Sequence, residues 1–142
     1  MADVHDVAAY ILEKTKSLTA MKLQKLVYYA QAWSLVWDEK PLFKNRIEAW
    51  ANGPVVPDLY QAHRGEFTIT AEPRGDASKL TKDERETVDV VLRDYGKKTA
   101  TWLSALTHKE DPWLCARDGI PDGERSNQQI THAAMAEYYG NL

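Results

Sequence analysis

The sequence predicts a mostly α-helical fold, a compact bundle of six or seven helices around one buried helix at residues 20–38. Three observations carry this. Residues 20–38 (AMKLQKLVYYAQAWSLVWD) are apolar over most of a helical wheel, so neighbours must cover them on several sides. Further stretches repeat apolar residues at helical spacing, while β-prone runs are short and confined to 47–50 and 67–70. The hydrophobic share of 44%, with five Trp and seven Tyr, supplies a core without disulfides or a structural metal. At 142 residues the chain is expected to form a single domain over 1–142.

The first helix is read over 3–16. Val4, Val7, Ala8, Ile11 and Leu12 share a face, with Asp3 and Asp6 at the start and Lys14 and Lys16 at the end complementing the helix dipole. Thr19 then caps the central helix. One flank of that helix holds Leu23, Leu26, Ala30, Trp33 and Trp37; the other holds Met21, Tyr28, Ala32, Leu35 and Val36. Gln24, Gln31, Ser34 and Asp38 fall in a narrow polar stripe. The stripe is either an outward seam or a set of buried hydrogen bonds, and it is the candidate partner contact. Pro41 ends the helix, because it lacks an N–H and restricts Lys40 before it.

Ile47–Trp50 reads as a strand and Asn52-Gly53-Pro54 as a turn. Pro54 is placed at the first position of a helix that carries Val55, Val56, Leu59, Tyr60 and His63 and stops at Gly65. Gly53 is expected at positive φ, where a Cβ is costly. Phe67–Thr70 alternates and is expected to pair with Ile47–Trp50 as a minor two-stranded ribbon.

Two polar loops, 71–80 and 118–129, bracket the later helices. Thr81 and Glu84 form a capping box ahead of Val88, Val91, Leu92 and Tyr95. Trp102, Leu103 and Leu106 mark the next helix, Asp111-Pro112 starts one around Trp113 and Leu114, and Thr131 caps the last. Spacing assigns Trp33, Trp37 and Trp102 to the core. It leaves Trp113, Tyr138 and Tyr139 more open to an exposed role.

Charge and motif content narrow the function classes. Net charge is −3; residues 1–64 carry eight Lys/Arg against seven Asp/Glu, and 65–142 carry ten against fourteen. No basic stripe is present, and the helix at 82–95 has five acids against three basic residues, so nucleic acid is not an expected partner. No window is long and apolar enough for a membrane span, and the N-terminus has acids where a signal peptide needs bases. Cys115 is the only cysteine, which points to a reducing cytoplasm; it is read as a buried, inert thiol.

Catalytic signatures are missing. His5, His63, His108 and His132 form no metal-ligand spacing beyond a weak His108–Asp111 pair, and no phosphate loop or GxSxG elbow occurs. The expectation is a binding protein with no cofactor, no metal and no catalytic residue.

Several segments together resemble the Panacea-domain family, which takes in SocA-like antitoxins and GepA-type phage-associated proteins. They are MKLQKLVYYAQAWSLVW (Met21–Trp37), KPLF (Lys40–Phe43), IEAWANGPVVPDLYQAHR (Ile47–Arg64), LSALTHKEDPW (Leu103–Trp113) and the closing ITHAAMAEYY. Trp33, Trp50, Gly53, Pro54, Tyr60 and Trp113 are read as its structural residues. The resemblance implies a mostly helical fold and the antitoxin half of a toxin–antitoxin pair. Its implied partner is a cognate toxin encoded beside it, neutralised by direct contact; a SocA-like member also delivers its toxin to a cytoplasmic protease. Some members add a DNA-binding segment, which is not expected in these residues. The alternative is a phage or mobile-element protein with an enzymatic or host-modulating role, in which His108 and Asp111 would matter.

Overall fold

Helix α2 (Ala20–Trp37) runs through the middle of the molecule, and every residue from Leu23 to Ala32 is buried. The structure is a computed structural model and describes residues 2–142. Helices α1 (Val4–Thr15), α3 (Pro57–Ala62), α4 (Lys82–Tyr95), α5 (Ala100–Thr107) and α7 (His132–Gly140) all pack on α2, and α6 (Asp111–Ala116) packs on α7. These seven helices, among the described residues, make the fold helix-dominated, as the hydrophobic pattern predicts. The start of α2 is capped as expected, with Thr19 Oγ1 accepting from the Lys22 amide at 3.2 Å. The capping box of α4 also forms: Thr81 N donates to Glu84 Oε1 at 2.8 Å and Glu84 N to Thr81 Oγ1 at 3.2 Å.

Two small antiparallel sheets complete the fold. Strand β1 (Leu18–Thr19) pairs with β4 (Thr68–Ile69), Leu18 opposite Ile69. Strand β2 (Ile47–Trp50) lies between β3 (Gly53–Val55) and β5 (Gln129–Ile130). The expected ribbon of 47–50 with 67–70 therefore does not form; both segments are extended, each with another partner. Both edges of β2 are taken: β3 holds one through the tight turn at Ala51-Asn52, and β5 holds the other, with Ile47 opposite Ile130.

This hairpin also moves the expected helix start. Gly53 adopts φ +118° and turns the chain back along β2, so Pro54 lies in β3 opposite Ala49. The proline at the first position of α3 is Pro57. Either proline satisfies the rule that N1 needs no N–H, and only the turn decides between them.

Some aromatic residues change places relative to their spacing. Trp113 and Tyr139 are 2% and 1% exposed, whereas Trp37 and Trp102 are 46% and 45% exposed. Trp33 is half-buried against the core. Helical spacing defines a face without deciding whether another element covers it. Cys115 is likewise exposed rather than buried, because the six-residue α6 turns Pro112 and Trp113 inward and leaves it outside.

The loop over 71–80 is docked on α1. Asp6 Oδ2 accepts from Asp3 N at 2.9 Å in a capping box, while Asp6 Oδ1 accepts from Asp76 N at 2.8 Å. A Cβ on Gly75 would lie 2.0 Å from the His5 carbonyl oxygen. Gly75→Ala should lift this loop off α1 and cost about 1–2 kcal/mol. The checks are a fall in melting temperature and faster hydrogen exchange at the Asp76 amide; an unchanged Tm would contradict the docking.

Candidate functional site

The main concavity is a groove of about 880 Å³ between the first turns of α2 and the β2–β3 hairpin. Trp50, Tyr60 and Met21 line it, and its far end reaches His63 and Glu66 just after α3. The Trp50 and Tyr60 rings meet edge to face, with centroids 5.0 Å apart. Tyr60 and Met21 are 40% and 38% exposed; Phe67, whose carbonyl accepts from Ala20 N, is 79% exposed nearby. Large apolar side chains left in water around a concavity are the usual mark of a binding surface.

One wall of the groove is held by side chains from three helices, α2, α5 and α6. Arg117 Nη1, just past α6, donates to Ala49 O at 3.0 Å, Trp113 Nε1 to Trp50 O at 2.8 Å, and Ser104 Oγ to Asn52 O at 2.7 Å. From α2, Lys25 Nζ donates to Pro54 O at 3.2 Å. Gln24 grips both backbone groups of Val56: its Oε1 accepts from Val56 N at 2.9 Å and its Nε2 donates to Val56 O at 3.3 Å. A hairpin satisfied in this way presents a preformed surface, because its carbonyls need no rearrangement when a partner arrives.

The polar stripe on α2 is thus occupied within the fold. Gln31, fully buried, accepts from Leu42 N at 2.7 Å and Phe43 N at 3.3 Å and donates to Phe43 O at 2.8 Å. Ser34 Oγ donates to Lys40 O at 2.7 Å, and half-buried Asp38 accepts from Thr87 Oγ1 at 2.7 Å. Of the two arrangements open in the sequence, the buried one is realised. Of the four residues, Gln24 is the one that also lines the groove.

Lys25 is the unusual residue. It is 1% exposed, and its stem runs under Gly53, where a Cβ would sit 2.7 Å from Lys25 Cε. Burial pulls its ammonium down from 10.5 to about 8. A lysine in the first turns of a helix can ordinarily snorkel its head to water, but the hairpin folding over α2 puts Lys25 inside instead.

A second buried polar cluster lies one turn further along α2, at Tyr28 and Tyr29. Glu110 Oε1 accepts from Tyr29 OH at 2.6 Å and from Tyr139 OH at 2.8 Å, and Tyr139 OH also reaches Tyr28 OH at 3.1 Å. Tyr95 stacks on Tyr29 with centroids 4.4 Å apart. Burial holds the Glu110 carboxyl above its ordinary range, while the two phenols pull the other way. No local pattern marks Glu110, since its partners come from α2 and α7.

The histidines do not assemble a catalytic centre. His63, buried, bonds Glu72 through Nε2 and Glu66 through Nδ1, and His5 lies 3.6 Å from Glu72. His108 does not bond backbone through its Nε2; its ring stacks on Trp113 at 4.0 Å, while Asp111 is exposed in the first turn of α6. Among the described residues no group of three or more His, Cys, Asp or Glu is placed to hold a metal. None of the described helices is long and apolar enough to cross a membrane.

Residues 23–114 match the family described as antitoxin SocA-like, Panacea domain. The chain belongs to this family. Antitoxin SocA of Caulobacter vibrioides (strain NA1000 / CB15N) is 30% identical to it over 142 residues, covering 88% of this chain and 73% of that protein. No solved structure matches. The region matched to the Panacea domain runs from α2 to α6 and contains Lys25, the Trp50–Pro54 corner and Tyr60. Gly53 at positive φ and Trp113 bonded to the Trp50 carbonyl give the domain's Trp-Ala-Asn-Gly-Pro corner its shape.

Proposed function

We propose that this Panacea-domain protein is an antitoxin that neutralises a cognate toxin by direct contact at the groove between α2 and the β2–β3 hairpin. The observation that carries the reading is a preformed apolar groove within the family's own matched region, rimmed by exposed Met21 and Tyr60. A binding role, rather than a catalytic one, accords with the antitoxin family and with histidines that serve ion pairs and packing. The toxin is the product of the neighbouring reading frame. Proteolytic delivery is a further step in this reading, with the protein carrying the bound toxin to a protease.

Co-expression tests it. The neighbour alone should arrest growth, and the pair should grow. Tyr60→Asp, which places a charge on the exposed rim and gives up the edge-to-face contact with Trp50, should weaken toxin binding by at least tenfold while the protein stays folded with only a small fall in melting temperature. A neighbour that is harmless alone, or lethal beside this protein, ends the antitoxin reading. Toxin half-life with and without the protein, in cells with and without the protease, tests delivery separately.

A further inference from the structure

Buried Leu59 and Ile69 and exposed Met21 and Tyr60 give the groove an apolar lining, and two arginines flank it. Arg64 follows α3 and Arg125 lies in the loop before β5; both are exposed. Among the described residues neither forms an ion pair. The acids on the same lining are already engaged. Glu48 accepts from Trp50 Nε1 and Arg46 Nε, each at 2.9 Å, and Glu66 pairs with His63 Nδ1 at 3.2 Å. The backbone carrying each arginine is held in place. Arg117 Nη2 donates to Glu124 O at 2.7 Å and Arg46 Nη2 to Asn127 O at 3.0 Å, one on each side of Arg125. His63, next to Arg64, is clamped between Glu66 and Glu72. In a chain of net charge −3, two accessible, unpaired cations on anchored backbone beside an apolar recess are the complement of an acidic ligand.

We infer that the groove receives an amphipathic helix of the partner protein, its apolar face on Met21, Trp50 and Tyr60 and its flanking Asp or Glu side chains paired with Arg64 and Arg125. This rests on the antitoxin reading and names what the toxin must present. A helix is favoured over a strand because the wall offers little backbone to pair with. The carbonyls of Ala49, Trp50, Asn52 and Pro54 and both backbone groups of Val56 are taken by side chains of this protein. Strand β4, whose Ile69 lines the groove, is two residues long. Strand addition draws its affinity from main-chain hydrogen bonds, whereas a helix satisfies its own backbone and binds through side chains. Acidic protein is favoured over nucleic acid because Glu48 and Glu66 share the lining with the arginines and would repel a run of phosphates. A helix can place its few carboxylates at the arginines alone.

Two measurements test this. In the first, the protein alone is titrated with a hydrocarbon-stapled helical peptide carrying a leucine stripe bordered by glutamates, and the Met21 methyl resonance is followed by NMR. A saturable shift is expected. A twin peptide with lysines in place of the glutamates should bind at least tenfold more weakly, and the double variant Arg64→Glu/Arg125→Glu should reverse that order. Both arginines are exposed, so the double variant should keep its melting temperature. In the second, association with the neighbouring gene's product is timed at low and high salt. The double variant should slow association at least tenfold at low salt, with the gap closing as salt is added and dissociation changing less, as rim charges require. Lys82→Glu/Lys97→Glu, an equal change of charge at the two ends of α4, should leave the rate within about threefold of wild type.

No shift with the glutamate peptide, the same peptide order in wild type and double variant, equally tight binding of a proline-interrupted peptide of the same composition, or tighter binding of oligothymidylate would each overturn the inference. If the double variant associates with the neighbour's product as fast as wild type and still neutralises it, the antitoxin reading stands and this one falls. If the peptide order reverses as expected but the neighbour's product does not bind, the antitoxin reading fails and the groove stands as a receptor for acidic helices.

Discussion

Gly53→Val should lower the unfolding free energy by about 3 kcal/mol or more, measured by denaturant unfolding. Two effects add. The backbone at φ +118° is a conformation that a β-branched residue reaches only at a cost of about 1–3 kcal/mol. The site is also filled: a Cβ would lie 2.7 Å from Lys25 Cε and 3.0 Å from Thr107 Oγ1, and valine adds two methyl groups beyond it. Overpacking of this kind costs about 1–3 kcal/mol. Gly53→Ala should fall between valine and wild type, because it carries the backbone strain with a smaller overlap. A loss below about 1 kcal/mol in the valine variant would mean the corner relaxes freely, and the picture of a rigid groove wall would be wrong. The same substitution should displace the hairpin that forms the groove wall, so groove binding should fall together with stability.

Glu110→Ala is the second large effect, expected at about 3 kcal/mol. It strips the acceptor from the buried hydroxyls of Tyr29 and Tyr139 and leaves a void beside Tyr28. Glu110→Gln keeps an acceptor oxygen and should cost less, and it isolates the titration. Burial raises the Glu110 carboxyl above its unfolded value, so the folded state holds its proton more tightly than the unfolded chain. That contribution is fully present below the unfolded pKa and is lost as pH rises through the folded one. Stability of wild type relative to Glu110→Gln should therefore decline between acid and neutral pH, then level off. A difference that is flat with pH, or that rises, would show that the two phenols outweigh burial.

Lys25 carries the same bookkeeping with opposite chemistry. Its pKa falls on folding, so in the window between about 8 and 10.5 the unfolded chain holds more protons and stability rises with pH. Below that window the buried charge is a standing cost in the free protein.

Much of this was legible in the sequence because it depends on local or periodic physics. The burial of α2 follows from an apolar circumference, the caps at Thr19, Thr81 and Thr131 from side-chain oxygens ahead of helical spacing, and the positive φ at Gly53 from a turn beside proline. The family resemblance was legible for a related reason, since its segments are the fold's fixed points. The polar stripe was visible as a stripe, but its direction was not. Gln24 and Gln31 point inward because loop backbones cross α2 there and need partners, and those crossings are set by residues far along the chain.

Strand pairing, aromatic exposure and the groove itself were decided by tertiary structure. Residues 67–70 alternate whichever strand they meet, so alternation could not choose β1 over β2. Spacing places Trp37 in the core and leaves Trp113 open to an exposed role, and only the covering elements reverse the two. Glu110 and Lys25 have unremarkable neighbours in sequence; each becomes chemically distinct because helices from opposite ends of the chain, or a folded-back hairpin, remove its water. Sequence alone thus determined the helices, their caps and the central axis, which local energies specify. The tertiary structure decided which polar groups are buried and which surfaces stay open, because desolvation depends on what packs over a residue rather than on the residue itself.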